Sequence, residues 1–204
     1  MKLPQMVILA GGPANRLRPI TEKIPKSMVE IEGKPFLNYQ LELLKKSGFK
    51  EIVLCVGYLH EKIENYFGDG GKIGLELKYS VEKELLGTAG ALKAASPVLR
   101  DEFFVMYGDS YLPIDFLEVD SVFKKALTPA LVVVYKNMNK YDNSNMVVRN
   151  GMVELYDKKK QTKEMVYIDA GISVLDKKVL DQIPAGRPYD LSEVYQNSFW
   201  NKQH

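Results

Sequence analysis

Residues 5–12, QMVILAGG, pass from an apolar run directly into a pair of glycines. A short apolar run that stops at glycines is typical of a buried strand followed by a tight loop. Residues 103–109, FFVMYGD, repeat this pattern, and residues 51–56, EIVLCV, form a third apolar run. Because such runs alternate with helical patterns along the chain, they indicate an α/β fold whose mostly parallel sheet is covered on both faces.

The same alternation continues to the end of the chain. Asn150-Gly151 lies between two strand-like pieces within residues 146–157 and predicts a short hairpin. Further strands are predicted at residues 75–81, 130–135 and 166–175, and helices at residues 35–47, 61–67, 88–95, 116–125 and 190–200. The sequence therefore predicts a three-layer α/β/α domain over residues 1–204, with a mixed sheet and a small hairpin insertion.

Composition limits the kind of protein. Of 204 residues, 46% are hydrophobic and 26% are charged, as in folded globular chains. The net charge of +2 disfavours nucleic acid as a partner, and no apolar run approaches the ~20 residues of a membrane span. With one Cys and two His, a metal site would depend on carboxylates. We expect a cytosolic protein that binds neither nucleic acid nor membrane.

The loop after the first strand carries groups suited to a polyphosphate. Adjacent glycines let backbone N–H groups approach an anion closely, and Arg16 and Lys26 add positive charge. The alternative is a glycine turn flanked by solvated cations. The Walker pattern is absent and Ala14 replaces the second glycine of the dinucleotide pattern, which argues against a P-loop kinase and a nicotinamide enzyme.

Residues 9–26, followed by Gly33-Lys34-Pro35, closely resemble the signature of the sugar-1-phosphate nucleotidyltransferases. Further matches follow in the family's order: Leu86–Gly90, Gly108-Asp109, Asp157-Lys158 and Ala170-Gly171. The resemblance extends from residue 5 to about residue 195 and implies a Rossmann-like nucleotidyltransferase fold. It also implies Mg²⁺-dependent transfer of a nucleoside monophosphate from a nucleoside triphosphate to a sugar-1-phosphate. The most similar members are small bacterial heptose- or mannose-1-phosphate guanylyltransferases.

The resemblance implies a nucleotide-binding half over about residues 1–112. It assigns catalytic roles to Arg16 and Lys26 as cations and to Asp109 as a ligand of Mg²⁺, which prefers hard oxygen donors. Glu82 accepts hydrogen bonds only, which weakly favours the adjacent donors of guanine and hence GTP over UTP or CTP. The alternative for Glu82 is a solvated loop carboxylate. The implied nucleotide-binding residues are Leu9, Ala10, Gly11, Gly12, Asn15, Arg16, Glu82, Gly87, Thr88 and Ala89.

The sugar-phosphate-binding half is implied over about residues 113–204. Lys158 is expected to be catalytic and to contact the sugar phosphate. Asp157 stands where the family has a longer Glu. The implied sugar-phosphate-binding residues are Asn145, Asp157, Lys158, Asp169 and Gly171. The resemblance further implies a homodimer.

Two departures from the family's pattern keep other functions open. Residues 13–15 read Pro-Ala-Asn instead of x-Gly-Thr. This departure matters because Ala14 resists positive φ and Pro13 lacks an N–H. The sequence also ends at His204 without the family's motif aromatic-x-[DE]-I-G-[TS]-P, whose acidic residue supplies a second metal ligand. These departures motivate one alternative, a catalytically weak nucleotide-sugar-binding or regulatory subunit. The other alternative is a cytidylyltransferase of the same fold for an alcohol phosphate such as phosphocholine, which Glu82 and the sugar-side residues disfavour.

Overall fold

The computed structural model describes residues 3–12, 14 and 17–200, with side chains as far as Gln196. Each predicted strand and helix is present, and its ends lie within one or two residues of the prediction. Two short strands, β2 and β3, were not predicted. The strands are β1 (Gln5–Leu9), β2 (Glu30–Ile31), β3 (Lys34–Pro35), β4 (Glu51–Val56), β5 (Glu76–Val81), β6 (Glu102–Tyr107), β7 (Ala130–Lys136), β8 (Met146–Arg149), β9 (Met152–Tyr156) and β10 (Tyr167–Asp176).

Five α-helices lie between or after these strands. The fourth begins at an N-cap, because the Asp115 carboxylate accepts hydrogen bonds from the N–H groups of Leu117 (2.9 Å) and Glu118 (3.1 Å). No helix in the described part of the chain is both long and apolar enough to cross a membrane. The helices are α1 (Phe36–Lys46), α2 (His60–Phe67), α3 (Gly87–Ala95), α4 (Phe116–Ala126) and α5 (Leu191–Trp200).

The sheet is mixed and mostly parallel, as predicted. Its order is β5-β4-β1-β6-β10-β8-β9, with β7 on the other side of β10. Strands β5, β4, β1 and β6 are parallel neighbours, and β10 is antiparallel to β6, β7 and β8. Only β9 and β10 therefore run against the common direction. Because β1 lies between two parallel neighbours, its carboxyl end is at the middle of one sheet edge.

Two apolar layers cover the sheet and complete the predicted three-layer architecture. Met6 and Ile8 of β1 pack in one cluster with α1, α2 and α4. Val7 points to the opposite face and packs in the other cluster with α3 and α5. All three side chains have no exposed surface, which is the period-2 alternation of a strand buried on both faces.

The predicted hairpin joins β8 to β9. Arg149 is opposite Met152, and the intervening Asn150 and Gly151 have φ angles of 52° and 74°. Two positive φ angles are what a tight turn with the twist of its flanking strands requires, and Asn-Gly is the pair that adopts them most readily.

A charged cluster connects the central strands near their amino-terminal ends. The Glu51 carboxylate accepts hydrogen bonds from Gln5 Nε2, Lys78 Nζ and Arg100 Nε, each at 2.7 Å. Burial acts to raise the pKa of Glu51, but the hydrogen bonds from Lys78, Arg100 and Gln5 outweigh it and hold the pKa below its usual value. The cluster ties β1, β4 and β5 to the start of β6.

Candidate active site

A cavity of about 400 Å³ opens where the carboxyl ends of β1, β4, β5 and β6 meet. This edge is where an open α/β sheet binds its ligand. The walls come from the loop after β1, a turn before α1, the segment from the end of β5 into α3, and the end of β6. The predicted site residues that line the cavity are Leu9, Ala10, Gly11, Gly12, Lys26, Glu82, Gly87, Thr88 and Asp109.

Neither of the two glycines after β1 has a positive φ, so their backbone conformation does not itself require glycine. A Cβ on Gly11 would lie 2.5 Å from Glu82 Oε1 and 3.4 Å from the Gly57 nitrogen, so a larger residue would displace the Glu82 carboxylate. Among the described residues, nothing lies within 4 Å of a Cβ built on Gly12, whose backbone lines the cavity. Among the described residues of this loop, Ala14 has the strained conformation, with a φ of 48°.

Ala14 is held in that conformation by its neighbours. Its carbonyl accepts hydrogen bonds from Thr21 Oγ1 and from the Leu17 N–H, both at 3.0 Å. The left-handed conformation costs a non-glycine residue roughly 1–2 kcal/mol. Asn15 and Arg16, both predicted to bind the triphosphate, lie outside the described residues, as does Pro13.

Lys26 and Asp109 form an ion pair in the lining of the cavity. Lys26 Nζ lies 2.6 Å from Asp109 Oδ2, and the two side chains are 40% and 53% exposed. Lys26 follows Pro25 in a one-turn 3-10 helix, and Asp109 follows β6, so residues 83 positions apart meet at one point. An ammonium group therefore stands beside the carboxylate that was predicted to bind Mg²⁺.

Glu82 is half-buried at the cavity wall. Its Oε2 accepts a hydrogen bond from the Leu86 N–H at 3.0 Å, and its Oε1 lies against Gly11. Burial raises the pKa of this carboxyl, and the Leu86 hydrogen bond offsets part of that rise. Glu82 is thus fixed against the protein on one side, which differs from a solvated loop carboxylate.

The segment at the start of α3 is bound to the residues just before α5. The Tyr189 carbonyl accepts a hydrogen bond from the Ala89 N–H at 2.9 Å, and Thr88 Oγ1 accepts one from the Leu191 N–H at 2.8 Å. A Cβ on Gly87, whose φ is 69°, would lie 2.7 Å from the Tyr189 carbonyl oxygen. Gly87 and Thr88 line the cavity, whereas Ala89 is buried behind them.

The residues predicted for the sugar phosphate lie outside the cavity wall, on the side of β10. Asp169 Oδ2 lies 3.4 Å from the Tyr107 hydroxyl and 3.3 Å from the Tyr156 hydroxyl, and Asp169 Oδ1 accepts from the Gly171 N–H at 2.8 Å. Burial raises the pKa of Asp169, against the opposing effect of the Gly171 hydrogen bond. Because Tyr107 also lines the cavity, it joins the two groups of residues.

Lys158 is oriented by two side chains. Its ammonium lies 5.6 Å from the centre of the Tyr156 ring and 3.3 Å from Asp190 Oδ1. Both residues of the ion pair remain about two-fifths exposed, with side-chain exposures of 42% for Lys158 and 41% for Asp190. Asp190 also caps α5, since the same oxygen accepts a hydrogen bond from the Ser192 N–H at 2.8 Å.

The other two predicted sugar contacts differ in their surroundings. The exposed Asp157 carboxylate accepts hydrogen bonds from the N–H groups of Lys159 (2.7 Å) and Lys160 (2.9 Å), which lower its pKa. Asn145 Oδ1 is buried and has no hydrogen-bond partner within the described part of the chain. Asp157 is therefore occupied by its own loop, whereas Asn145 presents an acceptor in need of a donor.

The family of the chain follows from comparison with known proteins. Residues 5–199 match the family described as nucleotidyl transferase. The chain belongs to the nucleotidyl transferase family. It is 34% identical over 196 residues to the D-glycero-alpha-D-manno-heptose 1-phosphate guanylyltransferase of Campylobacter jejuni, covering 96% of this chain and 86% of that protein. The resemblance found in the sequence is thereby confirmed.

A second relative and a solved structure are also similar to the chain. The UTP–glucose-1-phosphate uridylyltransferase of Synechocystis is 34% identical over 202 residues, covering 91% of this chain and 52% of that protein. The inositol-1-phosphate CTP transferase from T. maritima has a TM-score of 0.80 at 23% identity, covering 98% of this chain and 83% of that one. The second likeness concerns the fold alone and agrees with the predicted nucleotidyltransferase fold.

In this nucleotidyl transferase, the candidate metal ligand is a single carboxylate. Within residues 3–12, 14 and 17–200, no three His, Cys, Asp or Glu side chains come together as a metal site. Asp109 fits a cation that brings most of its own ligands, because Mg²⁺ is commonly held by one or two carboxylates together with substrate phosphates and water. The ammonium of Lys26, 2.6 Å from Oδ2, pairs with this carboxylate, so a metal ion would have to displace it.

Three residues that contact parts of this nucleotidyl transferase site were not predicted from the sequence. They are Gln40, Tyr107 and Asp190. Gln40 lies under the loop of Asp109, Tyr107 joins the cavity to Asp169, and Asp190 holds Lys158. The sequence carried one signal, which is that Gln40 interrupts the buried stripe of α1 formed by Leu37, Leu41 and Leu44. The sequence predicts Tyr107 only as part of an apolar strand and Asp190 only as the first residue of a helix.

Proposed function

We propose that the chain transfers a nucleoside monophosphate from a nucleoside triphosphate to a sugar-1-phosphate. A phosphate oxygen of the sugar-1-phosphate attacks the α-phosphorus, the bond from that phosphorus to the pyrophosphate oxygen breaks, and a nucleoside diphosphate sugar and pyrophosphate result. The observation that carries the proposal is the Lys26–Asp109 pair in a glycine-walled cavity of the nucleotidyl transferase fold. Such a reaction needs positioning and neutralised charge rather than a protein nucleophile.

In this proposal the nucleotide occupies the half formed by residues 1–112. The base lies between Glu82 and Gly87, and the phosphates extend over Gly12 towards Lys26. The open backbone at Gly12 suits an anion, since unobstructed N–H groups can reach phosphate oxygens. GTP is the proposed triphosphate, because Glu82 offers only acceptors to the base and the Campylobacter relative is a guanylyltransferase.

Mg²⁺ is the proposed cofactor, with Asp109 as its protein ligand. When bound, the ion would neutralise phosphate charge and make the α-phosphorus more susceptible to attack. Lys26 would exchange its carboxylate partner for a phosphate oxygen as the triphosphate binds, so that its charge stays in the cavity. The exposure of both side chains leaves room for this exchange.

The sugar phosphate is proposed to bind in the half formed by residues 113–204. Lys158, held at the rim by Asp190, would attract the phosphate, and Asn145 is proposed as a contact of the sugar. Asp169, fixed by Gly171, is proposed as a further sugar contact. A heptose or mannose type of sugar is proposed, and we propose that the enzyme is cytosolic and homodimeric.

Pyrophosphate release tests this function. The purified protein is incubated with Mg²⁺, one of GTP, UTP, CTP, dTTP or ATP, and one of mannose-, glucose-, N-acetylglucosamine- or heptose-1-phosphate, with phosphocholine as a non-sugar acceptor. We expect release that needs both substrates and is greatest with GTP. Release with CTP and phosphocholine alone would favour the cytidylyltransferase, and no release despite nucleotide-sugar binding would favour the binding subunit. The Asp109→Asn variant is the control for a contaminating activity.

A further inference from the structure

We propose that Gln40 is a positioning residue of the active site, which acts by fixing the loop that carries Asp109. The inference rests on the proposed function, since it concerns the same reaction. Gln40 lies in the middle of α1, has no exposed surface and does not reach the cavity itself. Its effect on the reaction would therefore pass through Asp109.

The contacts of the Gln40 amide bracket Asp109. Gln40 Nε2 donates to the Ser110 carbonyl at 2.7 Å and to the Tyr107 carbonyl at 3.1 Å. One of these carbonyls belongs to the last residue of β6, and the other follows Asp109 directly. A single side chain thus holds the backbone on both sides of the carboxylate.

The two sides of the loop are not equally secured by other contacts. Before Asp109, the Gly108 N–H donates to the Leu9 carbonyl at 2.9 Å, which anchors the loop to β1. After Asp109, the Ser110 N–H donates a hydrogen bond to the Tyr107 carbonyl at 3.0 Å, which is a contact within the loop itself. Gln40 supplies the bond from Ser110 to the helical layer. Without it, the far side of the loop would lose its link to α1.

A purely structural role explains Gln40 poorly. Its Oε1 is buried and has no hydrogen-bond partner among the described residues, and its helical neighbours Leu37, Leu41 and Leu44 belong to the apolar core. A buried polar atom without a partner is destabilising, so packing in the core does not by itself account for an amide at this position. The amide is understandable if its two donated bonds hold a functional loop.

The test compares Gln40→Met with Leu44→Met. Both introduce Met at a fully buried position one turn apart on the same face of α1, but only the first removes the bonds to Tyr107 and Ser110. Because small misplacements of a catalytic group can cost about 100-fold in rate, we expect kcat of Gln40→Met to fall by about 10- to 100-fold. The KM values should change little, and Leu44→Met should stay within about twofold of the wild type, as for a volume-conserving change. Gln40→Asn, whose amide is one methylene shorter, should lose activity in the same way and serves if Gln40→Met fails to fold.

Amide hydrogen exchange provides the readout that a general loss of stability would not give. Residues 107–112 should exchange faster in Gln40→Met than in Leu44→Met, while the strands β1 and β4 keep their protection. Unchanged kcat in both Gln40 variants, or a loss of kcat without faster exchange in this segment, would overturn the role of Gln40. Wild-type turnover is measured first. Its absence would overturn the proposed function and the positioning role with it, whereas an active wild type with active Gln40 variants overturns the positioning role alone.

Discussion

Replacing Lys26 with Met is predicted to strengthen binding of a divalent cation to the nucleotide-free protein. In the structure, the ammonium of Lys26 lies 2.6 Å from Asp109 Oδ2, where it competes with any other cation for that carboxylate. Turnover should fall at the same time, because the proposed reaction needs the Lys26 charge beside the phosphates. Opposite changes in cation binding and in turnover would distinguish this account from a general disruption of the site.

The size of the effect follows from the exposure of the pair. Because the two side chains are 40% and 53% exposed, a water-like dielectric constant is appropriate. In a water-like dielectric, two unit charges about 4 Å apart interact by about 1 kcal/mol. Because a divalent ion carries two such charges, removal of the Lys26 ammonium relieves about 2 kcal/mol of repulsion. The expected gain in affinity is roughly 30-fold at low salt, at about 1.4 kcal/mol per factor of ten, and smaller at higher salt.

Electron paramagnetic resonance of free Mn²⁺ measures this affinity without nucleotide or turnover. Lys26→Arg keeps the positive charge and should bind Mn²⁺ as weakly as the wild type. Lys26→Met/Asp109→Asn removes the carboxylate as well and should lose the gain. Equal Mn²⁺ affinity in Lys26→Met and the wild type, or a gain that survives in the double variant, would refute the competition between ammonium and metal ion.

Three further predictions concern single carboxylates. Glu51→Gln should lower the stability by about 1–2 kcal/mol and the melting temperature by roughly 2–8 °C, as measured by thermal unfolding, because it removes the shared partner of Lys78 and Arg100. The folded-state pKa of Glu51 is lowered, so ionised Glu51 contributes its full stabilisation above the unfolded pKa of about 4.3. This stabilisation is lost as the pH falls through the lower folded-state pKa. The free energies of unfolding of the wild type and Glu51→Gln should therefore converge at low pH. Asp109→Asn should reduce kcat by at least about 100-fold with an unchanged circular dichroism spectrum, as expected for an aimed charge. Asp190→Asn keeps an N-cap but frees Lys158, so KM for the sugar-1-phosphate should rise severalfold while the melting temperature stays close to that of the wild type.

The local features of the fold were predictable because each has a short-range physical cause. Asn150-Gly151 determines its turn through two positive φ angles, and Asp115 determines the start of α4 through its side chain. The order of the strands needed more than periodicity. That order was not predicted, since a pattern of apolar runs does not specify which strands become neighbours.

The candidate site was predictable where a motif carries it and not where distant segments meet. Gly11, Lys26 and Asp109 were found from their motifs, and the structure brings them to one cavity. Gln40 and Ser110 are 70 positions apart, and Thr88 and Leu191 are 103 positions apart, so no local pattern reveals their hydrogen bonds. The reason for the glycine at position 11 was likewise invisible in the sequence, because it depends on the approach of Glu82.

The most direct test of the central claim follows the phosphate oxygens of the acceptor. The protein is incubated with Mg²⁺, GTP and a sugar-1-phosphate whose non-bridging phosphate oxygens carry a heavy isotope, and the products are analysed by mass spectrometry. Attack by the sugar phosphate on the α-phosphorus predicts a nucleoside diphosphate sugar that retains the whole label and pyrophosphate that carries none. Labelled sugar phosphate recovered unchanged beside hydrolysed nucleotide, or label in the pyrophosphate, would contradict nucleotidyl transfer by this site.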